Sequence, residues 1–436
     1  AVLSAGGVSN GIYPTDASPQ VHFQCEDSAT TVLFVEDEEQ LDKALVTREQ
    51  LPKLKLIVVM DMEGLTRFSD PMVISLDQLR EEGAAFDAAN AGLFEQRVHS
   101  RRPEDLAILI YTSGTTGKPK GAMHSHAALV YIVRGYNQVL RQDETDERML
   151  FLPLCHVAER LGGQYFSIYT GTVFNFVENP DTVPENVREI APTTFTAVPR
   201  VWEKFYSAVT IAIAEAGLLQ QFVYRQCMAV GYAVSDRVLA QQSVPLWLKA
   251  AFHLANVLAL NNVRRMMGIQ RARTLVTGAA PISPELVRWY LALGLPMMEV
   301  WGQTESCGGS TAMPAHRIKL GSIGTACPYN EVMVDPNTQE LLIRGPNVFM
   351  GYLNQPEKTA ETVDAQGWLH TGDVGSVDAD GYFRITDRMK DIIITAGGKN
   401  ITPSEWENEL KFSPYVTDAV VIGDRRAYLT VIIMID

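Results

Sequence analysis

The sequence predicts an α/β protein in which parallel β-sheets are covered by helices. Short apolar runs rich in β-branched and aromatic residues alternate with helical patterns, and this order is typical of parallel sheets. Glycine-containing segments follow three of these runs, at Gly114, Gly278 and Gly302, where ligands bind in such sheets. The runs that predict strands are 31–35, 56–60, 106–111, 194–198, 274–277 and 298–301.

The pattern changes after Cys327. Short strand patterns separated by Asp-, Asn- and Gly-containing turns predict a β-rich subdomain at about 328–386, with strands at 341–344, 375–377 and 382–385. The polar stretch 386–391 is interpreted as a linker. A helix is predicted from Pro403 to Phe412, with Thr402 as its N-cap and Glu405 at its third position.

Composition narrows the function classes. The 436 residues are 46% hydrophobic and 20% charged, as in soluble globular enzymes, and the length predicts two or more domains. A net charge of −14 argues against a nucleic-acid partner. The five cysteines are odd in number and have no CxxC spacing, which favours a reducing, cytoplasmic setting; Cys307 is expected to be a packed thiol.

Neither a signal peptide nor a membrane span is predicted. The most apolar helical stretch, 246–267, contains Lys249, His253 and Asn256, and is too polar to cross a bilayer. Both ends are expected to be truncated. The chain starts at Ala1 within a glycine-rich turn, and it stops at Asp436 directly after an apolar run.

Residues 110–121 read Ile-Tyr-Thr-Ser-Gly-Thr-Thr-Gly-Lys-Pro-Lys-Gly and predict a cradle for polyphosphate. Glycines let the backbone approach a ligand closely, and successive N–H groups, hydroxyls and lysines suit anions. The spacing differs from the common P-loop, because Pro119 follows Lys118. The residues predicted to bind phosphate are Thr112, Ser113, Gly114, Thr115, Thr116, Gly117 and Lys118.

This segment resembles the phosphate-binding signature of the adenylate-forming superfamily, which includes acyl-CoA synthetases, luciferases and peptide-synthetase adenylation domains. The resemblance implies a large N-terminal adenylation domain over residues 1–389. After a hinge, residues 390–436 would begin a small, mobile α+β C-terminal domain.

Two further segments resemble the superfamily's nucleotide motifs. In 300–306, Val-Trp-Gly-Gln-Thr-Glu-Ser, the resemblance places Trp301 with Gly302 against adenine, Thr304 near the α-phosphate, and Glu305 on Mg²⁺. The aromatic residue is more usually tyrosine, so Trp301 departs from the pattern. The segment 277–283 resembles the adenine-side loop, with Gly278, Ala279 and Ala280 against the base; Ser283 is also predicted as a helix N-cap.

Later motifs extend the resemblance. In 368–375, Asp373 is placed to accept hydrogen bonds from both ribose hydroxyls, and Arg388 is implied to contact ribose. Lys390 matches the hinge residue. His156 lies in a segment resembling the mouth of the acyl pocket; a packed, hydrogen-bonded histidine is the alternative. The loop implied to enter the site for thioester formation is Gly397, Gly398 and Lys399.

The segment 198–205 is similar to one in long-chain fatty acyl-CoA synthetases, and mostly helical residues follow it. The resemblance implies an ATP-dependent long-chain fatty acid:CoA ligase using ATP, Mg²⁺ and coenzyme A. Peripheral membrane contact and a monomeric or homodimeric state stay open. The superfamily's adenylation lysine has no counterpart before Asp436. Two alternatives remain: an acyl-AMP ligase that loads a carrier protein, and a non-catalytic nucleotide-binding scaffold.

Overall fold

The computed structural model describes residues 1–112, 118–389, 392–394, 400–413, 415–426 and 428–435. Side chains are described in these ranges except at 394, 400 and 405. In the described ranges, the strands are β1 (Ser9–Gly11), β2 (Val32–Val35), β3 (Leu56–Val59), β4 (Val73–Ser75), β5 (Leu106–Thr112), β6 (Lys120–Ser125), β7 (Glu147–Leu150), β8 (Val173–Phe176), β9 (Thr194–Ala197), β10 (Thr274–Gly278), β11 (Met297–Gln303), β12 (Gly308–Ala312), β13 (Thr325–Ala326), β14 (Glu331–Val334), β15 (Glu340–Arg344), β16 (Gly351–Tyr352), β17 (Leu369–Val377), β18 (Phe383–Arg388), β19 (Ile393–Ile394), β20 (Asn400–Ile401), β21 (Val416–Ile422) and β22 (Thr430–Ile435).

Helices separate most of these strands. In the same ranges, the helices are α1 (Ser18–Asp27), α2 (Glu38–Thr47), α3 (Leu76–Ala89), α4 (Leu93–His99), α5 (His126–Leu140), α6 (Val157–Glu159), α7 (Phe166–Thr170), α8 (Val183–Ile190), α9 (Pro199–Glu215), α10 (Leu218–Leu239), α11 (Leu246–Ala255), α12 (Asn261–Met267), α13 (Pro284–Ala292), α14 (Pro356–Thr362) and α15 (Pro403–Lys411). None of them combines the length and the apolar character needed to cross a membrane.

The chain divides into two compact units. Unit 1 comprises residues 1–130, 153–157 and 349–361, and unit 2 comprises residues 131–152, 158–348 and 362–436. Unit 1 contains one sheet of parallel strands in the order β2-β3-β4. Its central strand β3 is apolar on both faces, as expected for a strand buried between helices.

A second sheet in unit 1 has the order β1-β5-β6-β16. Strand β5 pairs in parallel with β1 and antiparallel with β6. The glycine-rich loop therefore joins two antiparallel neighbours. The interior positions of β5, Ala107 to Ile110, are buried, which fixes the strand that leads into the loop.

The main sheet of unit 2 has the order β13-β12-β11-β10-β9. Strands β9, β10 and β11 are parallel to one another. Strand β12 pairs antiparallel with β11, and β13 pairs antiparallel with β12. A large apolar cluster packs with this sheet and includes Phe195, Trp202 and Tyr290. The Tyr290 hydroxyl donates to the Trp202 carbonyl at 2.9 Å, so the polar group of this buried ring is satisfied. The α/β prediction with parallel sheets is confirmed.

The β-rich subdomain predicted after Cys327 contains an antiparallel sheet in the order β14-β15-β17-β18. The linker interpretation of 386–391 is wrong for its first half. Thr386 to Arg388 form the end of β18, because Asp387 and Arg388 pair with Val374 and Asp373 on β17. Lys390 and Asp391 lie outside the described residues.

Two helix starts lie where the sequence predicted them, but their caps differ from expectation. Helix α13 begins at Pro284 after Ser283, and α15 begins at Pro403 after Thr402. Neither Ser283 nor Thr402 makes a side-chain capping hydrogen bond. Proline at the first position lacks an N–H and has a helical φ, so it marks these starts independently of the cap side chain.

Candidate functional site

Asp373 is the centre of a polar cluster in unit 2. Its Oδ2 accepts a hydrogen bond of 2.8 Å from the indole Nε1 of Trp301. Gln303 Nε2 lies 3.4 Å from the same oxygen, and Arg388 Nε lies 3.5 Å from Oδ1. The cluster therefore brings together Trp301 at the carboxyl end of β11, Asp373 and Arg388, which the sequence motifs assign to one nucleotide site; their roles in that site stay a prediction.

The register of neighbouring strands explains this convergence. Asp373 on β17 pairs directly with Arg388 on β18. The Gln303 amide also donates to the Thr371 carbonyl at 2.6 Å, and this bond connects the end of β11 to β17. The end of β11 thus meets the consecutive strands β17 and β18, which are paired through their backbones, by way of the side chains of Trp301 and Gln303.

The part of β17 that precedes Asp373 is held by a buried glutamate. Glu340 Oε1 accepts from the Gly372 N–H at 2.8 Å, and Glu340 Oε2 lies 2.9 Å from His370 Nδ1. The Thr371 hydroxyl donates to the Leu341 carbonyl at 2.6 Å. Gly372 has φ = 73°, a conformation that glycine adopts without a Cβ penalty. The backbone before Asp373 is therefore fixed before any ligand binds.

The electrostatics of Asp373 reflect two opposing effects. Burial raises the pKa of this carboxyl above its ordinary value, while the bond from Trp301 and the charge of Arg388 act in the opposite direction. An ionised carboxylate has only acceptor positions, so it can receive both hydroxyls of a vicinal diol. Asp373 is therefore suited to bind a ribose when it is deprotonated.

The loop after β10 has an unusual backbone. Ala279 has φ = 67°, in the left-handed region that costs a residue with a Cβ about 1 kcal/mol. A Cβ at Gly278 would lie 2.6 Å from the Val300 carbonyl oxygen, and one at Gly302 would overlap the backbone of Gly308. These glycines permit the close approach of β10, β11 and β12, so they have a structural role beside the predicted contact with adenine.

Thr304 and Glu305 lie in the 3₁₀ turn Thr304–Ser306 that follows β11. Thr304 is buried, whereas Glu305 is partly exposed. Cys307 ends the turn with φ = 58° and is fully buried, which confirms it as a packed thiol. One carboxylate together with phosphate oxygens is a typical ligand set for Mg²⁺, and the metal role of Glu305 stays a prediction.

The predicted phosphate segment belongs to unit 1. Thr112 is the last residue of β5, and the Nζ of Lys118 lies 5.1 Å from the centroid of the Phe23 ring. Upstream, the Tyr111 hydroxyl donates to Asp27 Oδ2 at 2.7 Å, which anchors the end of the strand. Ser113, Gly114, Thr115, Thr116 and Gly117 lie outside the described residues, so their predicted role stays a prediction.

His156 also belongs to unit 1 and is partly buried. Burial lowers the pKa of its imidazole, which favours the neutral form at neutral pH. A neutral ring is compatible with lining an acyl pocket and also with simple packing. Lys390, Gly397, Gly398 and Lys399 lie outside the described residues.

Two residues of the cluster were not assigned from the sequence. Gln303 lies within the Trp-Gly-Gln-Thr-Glu motif, so its position beside Trp301 offered a signal. No sequence signal pointed to Glu340. This residue is 30 positions from His370 in the sequence, and the two side chains meet only because β15 pairs with β17.

Comparison with known proteins agrees with this geometry. The profile described as AMP-binding enzyme matches residues 1–353, and that of the AMP-binding enzyme C-terminal domain matches residues 390–436. The chain belongs to the AMP-binding enzyme family.

Curated members of the family are similar over most of the chain. The long-chain-fatty-acid–CoA ligase ACSBG2 of Xenopus laevis is 33% identical over 99% of this chain and 59% of its own length. The putative fatty-acid–CoA ligase fadD11 of Mycobacterium tuberculosis is 36% identical over 85% of this chain and 65% of its own length. The chain thus spans about three fifths of the first of these relatives.

Solved structures share the fold. The anthranilate CoA ligase AuaEII in complex with anthranoyl-AMP has a TM-score of 0.71 at 21% identity, covering all of this chain and 73% of that one. The adenylation domain of a carboxylic acid reductase from Segniliparus rugosus has a TM-score of 0.67 at 22% identity, covering 99% of this chain and 67% of that one.

Proposed function

We propose that the protein is an AMP-forming ligase that activates a long-chain fatty acid as acyl-AMP and transfers it to coenzyme A. The observation that carries the proposal is the contact of Trp301 with Asp373, because it joins the predicted adenine and ribose positions in one buried cluster. Family membership and the names of the fatty-acid–CoA ligase relatives support the choice of substrates.

In the first half-reaction, the fatty acid carboxylate attacks the α-phosphorus of ATP, and pyrophosphate leaves. In this proposal, Asp373 and Arg388 hold the ribose, while Gly278, Ala279 and Ala280 lie against the base. Thr304 and Lys118 offset charge on the phosphates. Glu305 would hold Mg²⁺, and that ion would supply further positive charge near the phosphates. Catalysis is then chiefly positional and electrostatic.

In the second half-reaction, the thiol of coenzyme A attacks the acyl carbonyl, and AMP leaves with its phosphate oxygen. The C-terminal segment is proposed to rotate about Lys390, so that Gly397 to Lys399 enter the site. His156 is proposed to line the acyl pocket, where a neutral ring does not attract water as strongly as a charged one.

The proposal is tested on the complete protein with two separate assays. Fatty-acid-dependent exchange of pyrophosphate into ATP reports the first half-reaction, and thioester formation with coenzyme A reports the second. A panel of acids from about eight to twenty-four carbons defines the pocket, since each buried CH₂ contributes roughly 0.8 kcal/mol. Exchange without thioester formation, with transfer to an acyl-carrier protein instead, would assign the acceptor to the carrier. Absence of exchange with every acid would contradict the proposal.

A further inference from the structure

Residues 246–267 form a continuous helical segment that exposes several large apolar side chains. Helix α11 passes through the π-helical turn Asn256–Leu260 directly into α12. These side chains are strongly exposed, with Leu246 at 83%, Trp247 at 69% and Val257 at 63%. Leu254, Leu258 and Met266 are exposed at the same helical spacing. We name these six residues the outer stripe.

The opposite face of the same segment is also apolar. Leu248, Ala255, Ala259, Val263 and Met267 are buried at intervals of four to seven residues, and the last four belong to the apolar core of unit 2. Exposed apolar patches that are rimmed by polar residues often mark interaction sites. The buried face satisfies the fold, so the outer stripe is available for a second apolar partner.

The neighbouring helix α10 also exposes apolar side chains at its start. It packs against α11 and the π-helical turn. Its first residues, Leu218, Leu219 and Phe222, are exposed. Helices with Leu, Phe and Trp on one face, flanked by basic residues, are typical of proteins that lie in the interface of a bilayer.

The local charge distinguishes a lipid surface from other partners. The whole chain carries a net charge of −14, yet residues 218–267 contain five Lys and Arg residues and one acid. That acid, Asp236, is paired with Arg288 at 2.8 Å. Lys249 and Arg265 are exposed within the apolar surface. This basic face attracts anionic lipid headgroups, whereas the rest of the acidic protein is repelled by them. The protein is therefore expected to approach an anionic membrane with this face.

We propose that the outer stripe, together with the start of α10, seats the protein on an anionic membrane surface. The choice of a lipid partner rests partly on the proposed function, because a long-chain fatty acid is itself dissolved in membranes. The segment lies in the plane of the interface, with Trp247 and Leu254 inserted and Lys249 and Arg265 among the headgroups.

The test uses the complete protein and flotation with phosphatidylcholine vesicles, with and without phosphatidylglycerol. The double variant Trp247→Ser with Leu254→Ser is expected to bind at least about tenfold more weakly, because two large apolar side chains are lost. A matched control is Ile168→Ser with Phe176→Ser, since these residues are 65% and 64% exposed elsewhere in unit 2. This control is expected to bind as the wild type does.

A charge variant tests the complementarity separately. Lys249→Gln with Arg265→Gln is expected to weaken binding to vesicles with phosphatidylglycerol by about tenfold, with little effect on neutral vesicles. Thermal unfolding should be unchanged in all variants, because the altered side chains are exposed. A change in melting temperature would instead assign these residues to the fold and overturn the proposal.

The outcomes separate this inference from the proposed function. If the outer-stripe variant binds vesicles as tightly as the control, the surface assignment is wrong. A different result is that the wild type is a dimer that does not bind vesicles, while the outer-stripe variant is a monomer. The face is then an interface between copies of the chain, and the proposal is overturned. If the expected vesicle pattern appears but no fatty acid is activated, the membrane surface stands and the proposed activity fails.

Discussion

The indole N–H of Trp301 donates a hydrogen bond of 2.8 Å to Oδ2 of Asp373, across 72 residues of sequence. The residue predicted to pack on adenine thereby orients the residue predicted to hold ribose. Tyrosine, the more usual aromatic residue at this position, has no indole N–H. Trp301 therefore gives this chain a specific link between the predicted adenine position and the predicted ribose position.

Replacing Trp301 by phenylalanine keeps an aromatic face but removes the donor. We expect AMP to bind about tenfold more weakly, because a hydrogen bond to a charged acceptor is lost and the carboxylate is left less restrained. Isothermal titration calorimetry measures this affinity. The matched control is Trp289→Phe, which removes an indole bond of 3.2 Å to the Tyr224 hydroxyl. Equal affinities in the two variants would contradict a role for the Trp301 bond.

Acidification should weaken nucleotide binding through Asp373. Burial raises the pKa of its carboxyl, and only the ionised form accepts both ribose hydroxyls, so affinity should fall as pH falls through this raised pKa. Asp373→Asn should lower AMP affinity about a hundredfold and flatten the profile. Titrations over a pH series check this. Parallel profiles for the wild type and the variant would assign the pH dependence to another group.

Glu305 is expected to act through magnesium. Glu305→Gln keeps the shape of the side chain but loses its charge, so the concentration of Mg²⁺ needed for half-maximal pyrophosphate exchange should rise about tenfold. Activity should recover at high Mg²⁺. Asp181→Asn, a change at an exposed acid, serves as the control. A wild-type response of the Glu305 variant at limiting Mg²⁺ would exclude the metal role.

Lys118 is expected to govern the use of ATP rather than folding. Its Nζ lies near the Phe23 ring in unit 1, outside the buried strands, so Lys118→Ala should leave the melting temperature nearly unchanged. Loss of a charge that offsets the phosphates should reduce acyl-AMP formation by about a hundredfold. Exposed Lys53 provides the control, as Lys53→Ala. An unaltered rate of pyrophosphate exchange in the Lys118 variant would contradict a role of this residue in phosphate binding.

Glu299, on β11, gives a prediction about stability. Burial raises the pKa of its carboxyl from 4.5 to about 8. The neutral form therefore contributes stability that is fully present below the ordinary pKa and is lost as pH rises through about 8. Glu299→Gln should unfold about 2 °C higher than the wild type above that pH, with the difference shrinking on acidification. Calorimetry over a pH series, with Glu357→Gln as an exposed control, checks this; curves that stay parallel would contradict it.

Much of the fold could be predicted from the sequence because its signals are local. The apolar runs at 56–60 and 274–277 became β3 and β10, since buried parallel strands must be apolar on both faces. Pro284 and Pro403 marked helix starts through their fixed φ. The polar stretch 386–391 was misinterpreted, because polar residues at the end of a strand look like a linker when their partner strand is unknown.

The candidate site was only partly predictable. The sequence by itself determined the family, the residue types and the positions of Trp301, Glu305 and Asp373, because each motif is a short contiguous pattern. The tertiary structure decided which side chains meet. The Trp301–Asp373 bond and the contact of Glu340 with His370 and Gly372 depend on the pairing of β15, β17 and β18, which brings distant segments together. The exposure of the outer stripe on α11 and α12 was decided in the same way, because only packing shows which apolar side chains of a helix are covered.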